Sequence, residues 1–204
     1  MSFFGFFRRW PPIRQIEELA HFIDGNAAML TQKGIYEYSR ARAGHYAKVL
    51  FSEREFHEAA ERSRWQAYPL GLAMVGEMVE GVLRPYSGED RRSVLDPLVQ
   101  LVLSIFDRYP VPACLDEAVW EDARRELAHR LDTVGIHAVK LVKDVPDQFA
   151  ESYFALMPIH EKMRGRDFPT MRNYLRIVLV NVHDELIKRV DAPAIVAALR
   201  AQPI

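Results

Sequence analysis

Residues 70–83 read Leu-Gly-Leu-Ala-Met-Val-Gly-Glu-Met-Val-Glu-Gly-Val-Leu. Only Glu77 and Glu80 are charged, so a helix over Leu70–Leu83 is apolar nearly all round and belongs inside a protein. Gly71, Gly76 and Gly81 punctuate it. Interior glycines cost about 1 kcal/mol each against alanine, which points to close helix crossings that repay them. Strand signals are nearly absent from the chain: there is no Asn-Gly or Asp-Gly hairpin turn and no clean period-two run. Helical periodicity is found almost everywhere else.

Working outward, the spacing of Ile16, Leu19, Ile23, Ala27 and Leu30 predicts a helix over Ile13–Leu30, led in by Pro11 and Pro12. A second helix is expected over Ile35–Phe51. Ser52 and Glu55 suggest a capping box for a third, with a break or kink at Pro69. The turn Arg84–Arg91 offers Ser87 as a cap for an apolar helix at Val94–Phe106. Its one polar stripe, Asp96, Gln100, Ser104 and Asp107, faces water. Asp116 caps an amphipathic helix to Leu131, and Gly135–Lys143 reads as a weaker one. Pro146, Pro158 and Pro169 cut residues 143–168 into short pieces, the most irregular zone of the chain. A long helix is expected over Pro169–Val190, then a short one capped by Asp191 with Pro193 in its first turn. The expectation is an all-α, single-domain bundle of seven to nine helices with mixed crossing angles. An aromatic N-terminal tail occupies residues 1–12 and the domain residues 13–204.

Composition removes several function classes. Of 204 residues, 49% are apolar and 27% charged, with a net charge of −1. No basic field recruits nucleic acid. The single cysteine, Cys114, excludes an internal disulfide and suits a cytoplasmic location. No run reaches the length of a membrane span, and the N-terminus lacks the order of a signal peptide. Phosphate-binding glycine loops and the G-x-S-x-G elbow are absent. Nothing asks for a cofactor.

The tetrapeptide Glu-Leu-Ala-His occurs twice, at residues 18–21 and 126–129. A glutamate and a histidine three apart on a helix are the signature of di-metal bundles, whose ligands project inward. On a wheel of 100° per residue, Glu18 and His21 point roughly 140–160° away from the core direction. His129 also points away, and Glu126 sits at a flank. Two solvated helix faces are expected, with no metal.

Three further groups carry chemistry. Phe3, Phe4, Phe6, Phe7 and Trp10, with Arg8 and Arg9, form an aromatic and basic tail. Such a tail packs on its own domain or a partner, or lies at a membrane interface. In residues 157–176, Arg164, Arg166 and Arg176 suit a carboxylate or phosphate, and His160 and Glu161 suit acid–base work. The competing reading is that the arginines pair internally and tie the loop down. Tyr38, Arg42 and Tyr46 share one helix face at i, i+4 and i+8. With Arg176 and Asn173 they would line a polar notch in which a buried arginine meets Glu37, Glu77 or a ligand. Ser39 lies one to two turns before His45, a weak nucleophile–base candidate.

The segments KGIYEYSRARAGHYAKVLF, RWQAYPLGLAMVGEMVEGVLRP, FDRYPVPA and LMPIHEKMRGRDFPTMRNYLR resemble a family of bacterial proteins of uncharacterised function, some of them labelled esterase. The resemblance covers nearly the whole chain. It implies a hydrolase label and brings no catalytic residues with it. The leading expectation is a non-catalytic helical accessory or binding protein, docking through its aromatic and basic tail to a protein partner or to the inner membrane face. The alternatives are an esterase-like hydrolase of a small ester, and a bundle binding an anionic amphiphile through Arg42, Arg164, Arg166 and Arg176. A homodimer stays open.

Overall fold

The structure is a computed structural model that describes residues 11–202. It is all-α. Nine helices and three 3₁₀ turns account for the regular structure of the described residues, which contain no strand. The helices are α1 (Ile16–Ala43), α2 (Ala47–Leu50), α3 (Arg54–Leu83), α4 (Arg92–Phe106), α5 (Glu117–Val134), α6 (Ala150–Ala155), α7 (Glu161–Arg164), α8 (Phe168–Arg189) and α9 (Ala192–Arg200).

The stretch 70–83 is the C-terminal half of α3 and forms the centre of the bundle. Residues 71–80 are all buried, and α3 packs against α1, α4, α5 and α8. Gly71 sets the closest of these crossings. A Cβ there would stand 2.9 Å from the Ala27 carbonyl oxygen of α1, a contact that only glycine avoids. One continuous apolar core runs from Ile13 to Leu199.

Two expected helix breaks do not exist. The first two predicted helices join into α1, in which Thr31, Gly34 and Ile35 are buried interior residues. Gly34 leaves room for the Tyr153 hydroxyl, which donates to the Thr31 carbonyl at 2.9 Å. The real break comes at Gly44, whose φ of 54° is a left-handed conformation that glycine adopts without strain. Pro69 lies inside an unbroken α3. A proline in a helix interior costs about 3 kcal/mol, from the missing hydrogen bond and the clash of its ring with the preceding turn. Tyr68, Pro69, Leu72 and their buried neighbours outweigh that, at about 1.5–3 kcal/mol per large apolar side chain.

Some capping assignments also change. Ser52 bonds the Val49 carbonyl at 2.7 Å instead of capping α3, which starts after Glu53. Ser87 bonds back to the Leu83 carbonyl. Asp116 holds the N-cap position of α5, but its side chain makes no capping bond. Asp191 does cap α9, accepting from the Ala194 amide at 3.3 Å. Residues 136–141 form no helix. Gly135 and the β-branched Ile136, Val139 and Val142 are poor helix formers. Arg84 also claims the Val134 and His137 carbonyls, at 3.0 and 2.6 Å, that a helix there would use.

Ahead of α1 the chain runs extended along the end of α8. Ile13 donates to the Arg189 carbonyl at 2.8 Å, and its own carbonyl accepts from Asp191 at 2.9 Å. This pins Pro11–Arg14 beside the start of α9.

Candidate functional site

A cleft of about 1110 Å³ opens where this N-terminal strap, the end of α3, the loop after α5 and the face of α8 meet. Its floor is the second half of α3. Glu77 and Glu80 are both buried there, and a buried charge must be paired. The Lys140 ammonium donates to one Glu77 oxygen at 2.7 Å and the Gln148 amide to the other at 2.6 Å. Arg84 clasps Glu80 through two 2.7 Å bonds. The floor charges therefore cancel, and the same bonds fix the non-helical loop in place.

The walls are apolar. Met78 and Val82 come from α3, Val139, Leu141 and Val145 from the loop, and Val180 and Ile187 from α8. Several of these apolar side chains stay in water: Val139 is 52% exposed, Leu141 65% and Ile187 53%. The rim is basic. Lys143 and Lys188 line it and pair with no carboxylate among the described residues. Arg14 at the strap meets Asp191 at 3.4 Å. Two histidines line the cleft, His137 and His183, and no serine or cysteine among the described residues lines it with them. Thr133 and Tyr86 supply its hydroxyl groups, and Thr133 donates to the Arg130 carbonyl.

The site residues expected from sequence lie elsewhere. Tyr38 and Arg42 do meet the 157–176 segment. The Tyr38 hydroxyl donates to Asp167 at 3.0 Å, and the Arg42 guanidinium lies 3.2 Å from the same carboxylate and donates to the Met163 carbonyl. Asp167 thus takes the place expected of Glu37, Glu77 or a ligand. Burial, then the bond to Asp167, pushes the Tyr38 hydroxyl up to about 12. Arg164 donates to four carbonyls, those of Phe154, Ala155, Met157 and Ile159. Arg176 forms a two-pronged pair with Asp147 at 2.9 and 2.6 Å. Arg166 and Tyr46 are exposed. Arg42, Arg164 and Arg176 tie segments together, and none of the four arginines lines the cleft.

Ser39 is fully buried and its hydroxyl has no hydrogen-bond partner among the described residues, while His45 is exposed and packs on Tyr46. His160 accepts the Lys162 amide through Nδ1 and so caps α7. Neither histidine bonds to Ser39. The side chain of Glu161 lies outside the described residues, as do Phe3, Phe4, Phe6, Phe7, Arg8, Arg9 and Trp10.

In the repeated tetrapeptide, Glu18 accepts the amides of Arg14 and Gln15 at 2.7 and 3.0 Å and caps α1. These bonds hold its carboxyl below the usual range. His21, Glu126 and His129 are exposed. Among the described residues, no group of three His, Cys, Asp or Glu side chains is placed to hold a metal ion.

Sequence reasoning missed the cleft. Its signal was present in two glutamates on the most apolar helix, each demanding a partner. A second signal was Ile136, Val139 and Leu141, apolar residues in a segment with no helix to bury them. Comparison with family models, curated proteins and solved structures returns no match.

Proposed function

We propose that this is a non-catalytic binding protein, and that the cleft holds a single-chain amphiphile with an anionic headgroup. The observation that carries the reading is the cleft's composition: uncovered apolar walls beneath a rim with two lysines that pair with no carboxylate among the described residues. Its volume slightly exceeds the ~300–1,000 Å³ usual for small-molecule sites. An alkyl chain on Val139, Leu141, Val180 and Ile187 gains about 0.8 kcal/mol per methylene removed from water. A phosphate or carboxylate at the mouth meets Lys143 and Lys188. The buried Glu77 and Glu80 do not oppose it, because each already has a cation.

This keeps the anionic-amphiphile reading and moves it from the arginines of α1 and residues 157–176 to the cleft between the end of α3, the loop after α5 and α8. The test is titration of the full chain with dodecyl phosphate, followed by native mass spectrometry. A one-to-one complex is expected. Leu141→Glu should weaken it roughly tenfold or more, or about 1.4 kcal/mol, and Lys143→Glu with Lys188→Glu should do the same. Binding that ignores both variants would show that the cleft is not the site.

A further inference from the structure

We propose that the mouth of this cleft is a membrane-docking face, which seats on an anionic bilayer and takes its amphiphile from there. The inference rests on the amphiphile reading and adds the source of the ligand.

The mouth carries what an interfacial surface needs. In the loop after α5, Ile136 is 70% exposed, Val139 52% and Leu141 65%, three apolar side chains within six positions. They lie in a segment with no helix, Val139 against Gly81 of α3 and all three more than half exposed. Across the opening, Ile187 of α8 is 53% exposed. Lys143 and Lys188 flank the two sides and pair with no carboxylate among the described residues. Of the nearby acids, Asp147 pairs with Arg176, Asp191 with Arg14 and Glu185 with Arg189, whereas Asp144 beside Lys143 and Asp184 one turn before Lys188 have no arginine partner among the described residues. Apolar side chains ringed by such lysines match the boundary between acyl chains and anionic headgroups. The sequence just before Pro12 on the lip of the cleft has the same character, with five aromatics and two arginines.

A protein partner fits this surface less well. The exposed apolar residues surround an open cleft instead of forming a continuous patch. A partner's flat face would leave the centre unfilled, whereas a bilayer supplies both the charge for the rim and a chain for the interior.

The experiment is flotation of the full chain with vesicles of phosphatidylglycerol and phosphatidylcholine, against phosphatidylcholine alone. Co-flotation is expected only with the anionic vesicles, and it should fall as salt is raised. Ile136 stands at the mouth but does not line the cleft, so Ile136→Asp separates docking from ligand binding. It should lower vesicle binding about tenfold and leave the dodecyl phosphate affinity in vesicle-free solution unchanged. Three results would overturn the proposal: no flotation with anionic vesicles, equal flotation with neutral ones, or an Ile136→Asp protein that floats like the parent. So would a concentration-dependent dimer in sedimentation that Ile136→Asp abolishes, which would make this face a self-interface. Failure of the dodecyl phosphate titration, by contrast, strikes the amphiphile reading itself.

Discussion

Arg84 fastens the loop after α5 to the end of α3. It lies almost wholly out of water, holds Glu80 and fastens the carbonyls of Val134 and His137. Removing one member of such a pair strands the other, at about 3–5 kcal/mol, whereas removing both is close to neutral. Arg84→Met should therefore lower stability to urea by about that amount, and Glu80→Leu with Arg84→Met should recover most of it. Tyr38 gives a second test. Its hydroxyl titrates at about 12 against an ordinary 10.0, because the folded state holds the proton more tightly. A raised value stabilises fully below pH 10, and that contribution fades as pH climbs toward 12. Ultraviolet absorbance at high pH should show an ionisation near 12 whose amplitude falls by one tyrosine in Tyr38→Phe. That Tyr38 and Arg42 share one face was legible from their i, i+4 spacing. That the partner is Asp167 was not, because spacing fixes a face and leaves the facing side chain open.

Among the elements, the close contact of α1 and α3 is the most sensitive. Gly71→Ala would drive a methyl into the Ala27 carbonyl oxygen. Backbone cannot yield there, so a loss of about 1–3 kcal/mol is expected from overpacking, read as a lower melting temperature. The helical character of α3, α4, α5, α8 and α9 was plain in the apolar periodicity. The boundaries were less so. The gap expected between Leu30 and Ile35 and the break expected at Pro69 both fall inside long helices, because burial of the flanking turns outweighs one weak position. The segment 135–143 erred the other way: its period suits a helix, but Arg84 takes the carbonyls such a helix would need. Local signals lose wherever a distant side chain competes for the same backbone group.

At the scale of the whole molecule, the bundle leaves a large opening bounded by parts far apart in sequence: the strap at Pro12–Arg14, the end of α3, the loop after α5 and the face of α8. Such a site is invisible to motif reading, since no two of its walls share a helix period. No helix among the described residues is long and apolar enough to cross a membrane. Phe3→Ser, Phe4→Ser, Phe6→Ser and Phe7→Ser together should weaken flotation with anionic vesicles if the aromatic N-terminal sequence shares in docking. Everything functional proposed for this chain depends on the cleft being where it binds its ligand. The decisive experiment is a map of backbone amide shifts, by nuclear magnetic resonance, on adding dodecyl phosphate. Changes are expected to gather at residues 77–84, 137–145 and 180–193. Changes gathered instead around Tyr38, Arg42 and Asp167 would refute the assignment.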